Sequence, residues 1–184
     1  MKKTLIATTL LGFLSLPALA ADYVIDTKGA HASINFKIKH LGYSWLTGRF
    51  NTFDGTFSYD KANPGAAKVV VNIDTASIDS NHAERDKHIR SDDFLDVNQF
   101  PKAKFVSTNI TDNGDGTLVV AGDLTLHGVT KSVTIDAYKI GEGEDPWGGY
   151  RAGFSGTTQL TLADFNINGP ATIDLDLHIE GIKQ

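Results

Sequence analysis

The chain has 184 residues, 22 acidic against 17 basic, 41% apolar, with 18 Gly, 5 Pro and no Cys. An apolar share of that size can fill a core, which excludes a disordered chain. The lack of Cys excludes a disulfide framework and an acylated lipoprotein.

The first twenty residues read as a unit of their own. Lys2 and Lys3 lead into an apolar run from Leu5 to Leu16, then Pro17 precedes Ala18-Leu19-Ala20, a small-x-small cleavage pattern. This predicts a secretory signal peptide over 1–20 and a mature domain over 21–184, placed in the periplasm. The apolar run falls short of the ~20 residues a spanning helix needs, so no permanent membrane anchor is expected. The mature chain carries 15 basic and 22 acidic residues, a balance of −7. That argues against nucleic acid as a partner and against strong attraction to anionic membranes.

Beyond Ala21 the apolar residues recur with period two. Ala32, Ile34, Phe36 and Ile38 alternate with polar neighbours, as do Phe53 to Tyr59 and Val69 to Ile73. Leu118 to Leu126, Val133 to Ala137, Ala152 to Leu162 and Ile173 to Ile179 continue the pattern. Alternation of this kind predicts strands with one apolar face. Asn113-Gly114-Asp115-Gly116, His127-Gly128 and Asn168-Gly169-Pro170 supply turns. Short strands without intervening helices predict an antiparallel sandwich or barrel in one domain. The parity of Phe50 against Phe53 requires a bulge or turn, and Phe105 and Val106 leave one strand face ambiguous.

One stretch breaks the alternation. Asn81 to Arg90 predicts a short charged helix, with Asn81 as cap, Glu84 completing a capping box, and Asp86 facing Arg90 four residues on. Such a helix would cross a sheet edge or cover an open barrel end. At inward parity, Phe36, Phe57 and Phe154 stand beside Gly55, Gly122 and Gly156. Glycine within strands allows sharp coiling and leaves room inside a barrel.

Catalytic and metal motifs are missing. His82 and His88 lie about 120° apart on a helix, and there is no H-E-x-x-H. Gly153-Phe154-Ser155-Gly156 is one residue short of a nucleophile elbow. Pro146 stands where a dinucleotide loop would need its third Gly, and Gly114 where a calcium loop would need an oxygen ligand. The aromatic segments His40–Leu46 and Asp145–Arg151 anchor loops or rim a pocket.

Three segments carry a resemblance. Asn81 to His88 with Arg90-Ser91, Gly122 to Leu126 with Gly128 to Lys131, and Asp145 to Gly149 with Arg151 to Phe154 resemble the YceI-like family over essentially the whole mature chain. The resemblance implies an all-β, antiparallel, eight-stranded lipocalin-like barrel with a short inserted helix. It also implies a non-enzymatic protein that holds a polyisoprenoid, isoprenoid quinone or similar long amphiphile in its lumen, with no other cofactor and no metal. A homodimer is compatible with this reading.

Strand parity nominates Ile34, Phe36, Ile38, Phe57, Val71, Leu124, Phe154 and Leu160 as the lumen. Trp45, Arg85, Trp147 and Arg151 are nominated as the rim. Burial of ten methylene-sized groups would supply about 8 kcal/mol gross, enough for carriage. The rival expectation is a filled barrel that serves as a protein-interaction module through the helix face.

Overall fold

The computed structural model describes residues 20–184, so the leader read over residues 1–20 lies outside the described residues save Ala20. Eleven strands and one helix follow in the order β1 (Ala21–Ile25), β2 (Ser33–His40), β3 (Ser44–Phe50), β4 (Phe53–Tyr59), β5 (Lys68–Asp74), β6 (Ile78–Asp79), α1 (Ala83–Arg90), β7 (Lys102–Asp112), β8 (Thr117–Leu126), β9 (Val129–Glu144), β10 (Tyr150–Thr161) and β11 (Thr172–Lys183). Every pairing is antiparallel, and β1-β4-β5-β7-β8-β9-β10-β11 form a ring that the β1–β11 pair closes. The choice between sandwich and barrel is thereby decided in favour of an eight-stranded barrel. No helix among the described residues is long and apolar enough to cross a membrane.

The edge of β11 is shared. Gly181 to Lys183 pair with β1, and Asp174 to His178 pair with β2. The β2–β3 hairpin thus prolongs the β1–β4 pair past one end of the ring. Phe50 and Phe53 both face inward because the chain breaks between β3 and β4. There Asn51 N donates to Ser77 O (3.1 Å) and Thr52 N to Ser77 Oγ (3.0 Å), so the interruption leaves these amides satisfied. In β7 the inward residue is Phe105, and Val106 faces out at 36% exposure. His40–Leu46, expected between strands, is mostly strand: only Leu41, Gly42 and Tyr43 lie outside β2 and β3.

The helix forms where the break in alternation placed it, but its ends differ from the expectation. His82 is the cap, its Nδ1 accepting from Arg85 N at 3.2 Å, and Asn81 adopts a left-handed φ of 61°. Asp86 and Arg90 do not pair with each other. Buried Asp86 accepts from Ser80 N (2.8 Å) and Ser80 Oγ, while Arg90 donates to the carbonyls of Ala76 and Ile78. The backbone leaving β6 has polar groups without a strand partner, and the helix side chains satisfy them.

The segment after α1 then caps the barrel end. Leu95, Phe165 and Ile167 are buried there with Leu126 and Ala103. Phe165 is 1% exposed, so Phe165→Ala is expected to cost about 3–5 kcal/mol. Denaturant titration would read this as a lower midpoint at unchanged slope.

Candidate functional site

The core divides into two clusters. One gathers Phe36, Phe105, Leu124, Leu160 and Phe165 toward the capped end. The other gathers Tyr23, Ile25, Ile34, Phe57, Tyr59, Val71 and Ala152 toward the opposite end. Between them lies a cavity of about 150 Å³ whose lining is apolar except for Ser33, Ser58, Ser155, Thr158 and the phenol of Tyr59. The lining follows β8 from Leu118 to Leu124, some 20 Å of strand at ~3.3 Å per residue. The space is therefore a slot rather than a round chamber.

Glycine keeps the slot open. A Cβ at Gly122 would collide with the Phe105 ring, and one at Gly181 with the Phe57 ring. Each ring lies against a bare stretch of backbone. Phe57 also stacks on Tyr23 at 4.7 Å between centroids and meets Phe154 edge-on at 5.6 Å. Phe154 on β10 stands three strands round the ring from β4, so its contacts with Phe57 and Tyr59 reach across the interior beside the cavity.

Of the eight residues nominated for the lumen, Ile34, Phe57, Val71, Leu124, Phe154 and Leu160 line this cavity. Phe36 is buried but outside its lining, with its ring against Gly48 and tilted toward Phe50 at 6.2 Å. Ile38 is half-buried still further along β2, past the last residue that pairs with β11. Period two determines which face a residue occupies and says nothing of its height in the barrel.

The four nominated rim residues do not share a mouth. Trp45 flanks the β2–β3 turn beyond the capped end, while Trp147 tips the β9–β10 loop at the other. The registers require this, since β2 ends where β11 begins and β10 begins where β11 ends. Arg85 is turned inward upon Ser80, with Nε donating to its Oγ at 2.7 Å. Arg151 lies on the outer face and donates to Asp26 Oδ2 (2.7 Å), Asp145 Oδ2 (2.8 Å) and Glu180 Oε1 (2.6 Å).

That network clamps the β1–β2 loop to β11 and the β9–β10 loop. Asp26, His31 and Glu180 bring three potential ligand atoms within 4.8 Å of one another, but the Arg151 guanidinium already bonds two of them as the resident cation. The hydrogen bond from Arg151, then that from Gly29 N, hold Asp26 down at about 2.

A polar cluster that sequence reasoning missed sits at the uncapped end. Lys139 Nζ lies 2.9 Å from Glu142 Oε1 and 5.2 Å from the centre of the Tyr59 ring. Their side chains are 22% and 12% exposed, and exposed Lys61 reaches Glu142 at 3.9 Å. Three residues apart on a regular strand, Lys139 and Glu142 would face opposite ways.

The register shift at Gly153/Phe154 changes this. Lys139 pairs with Phe154 and Glu142 with Ala152, so both face inward. Ile140 is the extra residue that absorbs the shift, a β-bulge. Burial alone would lower the Lys139 ammonium, but its hydrogen bonds to Glu142 and Tyr59 hold it above its ordinary value. Burial, then Glu142, push the Tyr23 phenol up. An isolated Lys-x-x-Glu carries no signal of a bulge, which is why alternation passed over it.

A family model described as the YceI-like domain matches residues 23–181. UPF0312 proteins of Vibrio vulnificus and Shewanella denitrificans are 63% and 62% identical to this chain, each over the full length of both. Among solved structures, BcnA of Burkholderia cenocepacia superposes with a TM-score of 0.76 at 20% identity, covering 85% of this chain and 98% of its own. A polyisoprenoid-binding domain from Saccharophagus degradans, implicated in plant cell wall breakdown, superposes at 0.65 and 15% identity, covering 90% and 100%. At those identities the two structures show a shared fold.

The clamp has a pH signature. Asp26 is held below its ordinary 3.8, so its contribution to stability is complete above that pH and disappears as pH falls toward about 2. Arg151→Gln should lower the thermal midpoint at pH 7, and the gap from wild type should close between pH 4 and 2. A gap that stays constant over that range would mean the arginine acts by packing alone.

Proposed function

We propose that this chain, which belongs to the YceI-like domain family, is a non-enzymatic binding protein of the periplasm that holds a long-chain isoprenoid or similar amphiphilic lipid in its barrel lumen. The observation that carries this is the slot: an apolar space inside the closed wall, beside which Phe57 and Phe105 lie against glycine backbone. Keeping 150 Å³ unfilled costs about 3–4 kcal/mol at the scale observed for core cavities. A fold that existed only to be stable would close it. The polyisoprenoid binding reported for the Saccharophagus degradans domain supports the choice of ligand class.

The energetics suit an extended apolar chain. Each methylene-sized group moved from water into the slot is worth roughly 0.8 kcal/mol before ordering is charged against it. Dry apolar cavities of this volume accept a group about the size of one isoprene unit without adjustment. A longer tail therefore pushes aside partly buried side chains such as Phe154 and Val69, which pack against both clusters. Carriage needs no reacting group.

Two measurements test this. Organic extraction of the protein purified from periplasm, followed by mass spectrometry, should recover a prenyl lipid. A clean extract from a folded protein would count against the proposal. Ala137→Leu places about three further carbon groups in the slot. In an empty lumen this should raise stability by about 1–2 kcal/mol and reduce lipid occupancy. In a filled barrel the same change would overpack the core and cost about 1–3 kcal/mol.

A further inference from the structure

We infer that the lumen has a polar pole at Lys139 and Glu142, and that this pole receives an uncharged, oxygen-bearing lipid head such as a prenyl alcohol, phenol or quinone, and not a phosphate. The inference rests on the reading of the lumen as a lipid site and adds its orientation and head-group chemistry.

Position comes first. Ala137 lines the slot, and Lys139 is the next inward residue of β9, ~7 Å further along the strand. Tyr59 lines the slot too, and its ring faces Lys139 Nζ at 5.2 Å and Phe154 at 5.1 Å. The tail space and the polar pair therefore share a wall residue. Among the described residues the opposite end is closed by the apolar side chains of Leu95, Leu126, Phe165 and Ile167. An amphiphile in this slot has one end where its polar atoms find partners and one where they would be buried without any.

Charge then selects among heads. The Lys139 ammonium has three donors; Glu142, at 2.9 Å, and Tyr59 engage two of them and leave the third. A hydroxyl or carbonyl oxygen can accept another without disturbing the pair. A phosphate or diphosphate would bring its negative charges beside the Glu142 carboxylate, which is 12% exposed. Like charges are costly where water is scarce. Lys61, the remaining cation at this carboxylate, is 80% exposed and offers only a screened attraction.

The test uses the processed, lipid-extracted protein with three probes: squalene, which has no head, geranylgeraniol and geranylgeranyl diphosphate. Wild type should prefer the alcohol to the diphosphate. Lys139→Met should weaken the alcohol about tenfold, the scale of one hydrogen bond to a charged group, and leave squalene unchanged. Glu142→Gln should strengthen the diphosphate and narrow the preference. A wild-type preference for the diphosphate, or variants that shift neither headed probe, would overturn the inference while the lipid reading stood. Failure of all three probes to bind wild type would overturn the lipid reading itself.

A geranylgeranyl probe with a benzophenone head, photolysed in wild type, gives a readout free of folding defects. Adducts are expected on residues 139–150 or on Tyr59. Adducts confined to residues 91–100 and 162–167 would place the head at the capped end and refute the polar pole.

Discussion

Closure of the wall is the constraint on which the rest of this protein depends. Three residue pairs, Tyr23 with Lys183, Val24 with Ile182 and Ile25 with Gly181, join the first strand to the last. An open sheet has two edges and an inner face that must be covered from outside, whereas a closed one turns that face into an interior. Closure also has a geometric consequence, because β11 is longer than the part of its edge that β1 covers. β2 takes the remainder, and the segment between β1 and β2 is driven out of the wall. The Arg151 network sits where that excursion returns, and its three carboxylates come from the excursion, from β11 and from the β9–β10 loop.

An eight-stranded ring is just wide enough for side chains to fill, so its emptiness needs a cause. Here the cause is a division of labour between aromatics and glycines. Phe105 lies on the bare backbone of neighbouring β8 at Gly122, and Phe57 reaches past β1 to Gly181 of β11. The free energy surrendered by an unfilled slot is a substantial fraction of a domain's total stability, and on the proposed reading burial of a lipid tail would restore it.

The two ends of the slot differ in kind. At one end, helix α1 is held to the exit of β6 by its own polar side chains, and Leu95 is inserted over the barrel with Phe165 and Ile167. At the other end a single bulged residue turns a lysine and a glutamate inward together, beneath the ring of Tyr59. On the proposed reading, an amphiphile would meet an apolar stop and a polar pole on one axis. The barrel therefore has a direction, which a symmetric oily tunnel would lack.

Much of this was legible in the amino-acid order. Alternation determined the strand class and the inward face of β2, β4, β5, β8, β10 and β11, because a pleated backbone forces successive side chains to opposite sides. Glycine-bearing pairs marked the turns, and the one stretch without alternation marked the helix. What sequence left open was everything that depends on distance across the fold. Closure into a ring, the height of Phe36 and Ile38 above the slot, and the separation of Trp45 from Trp147 are set by strand registers, which no local pattern encodes. The pairing of Lys139 with Glu142 depends on a bulge specified by the partner strand. Faces follow from covalent geometry one residue at a time, but heights, ends and cavities exist only once eight strands have chosen their neighbours.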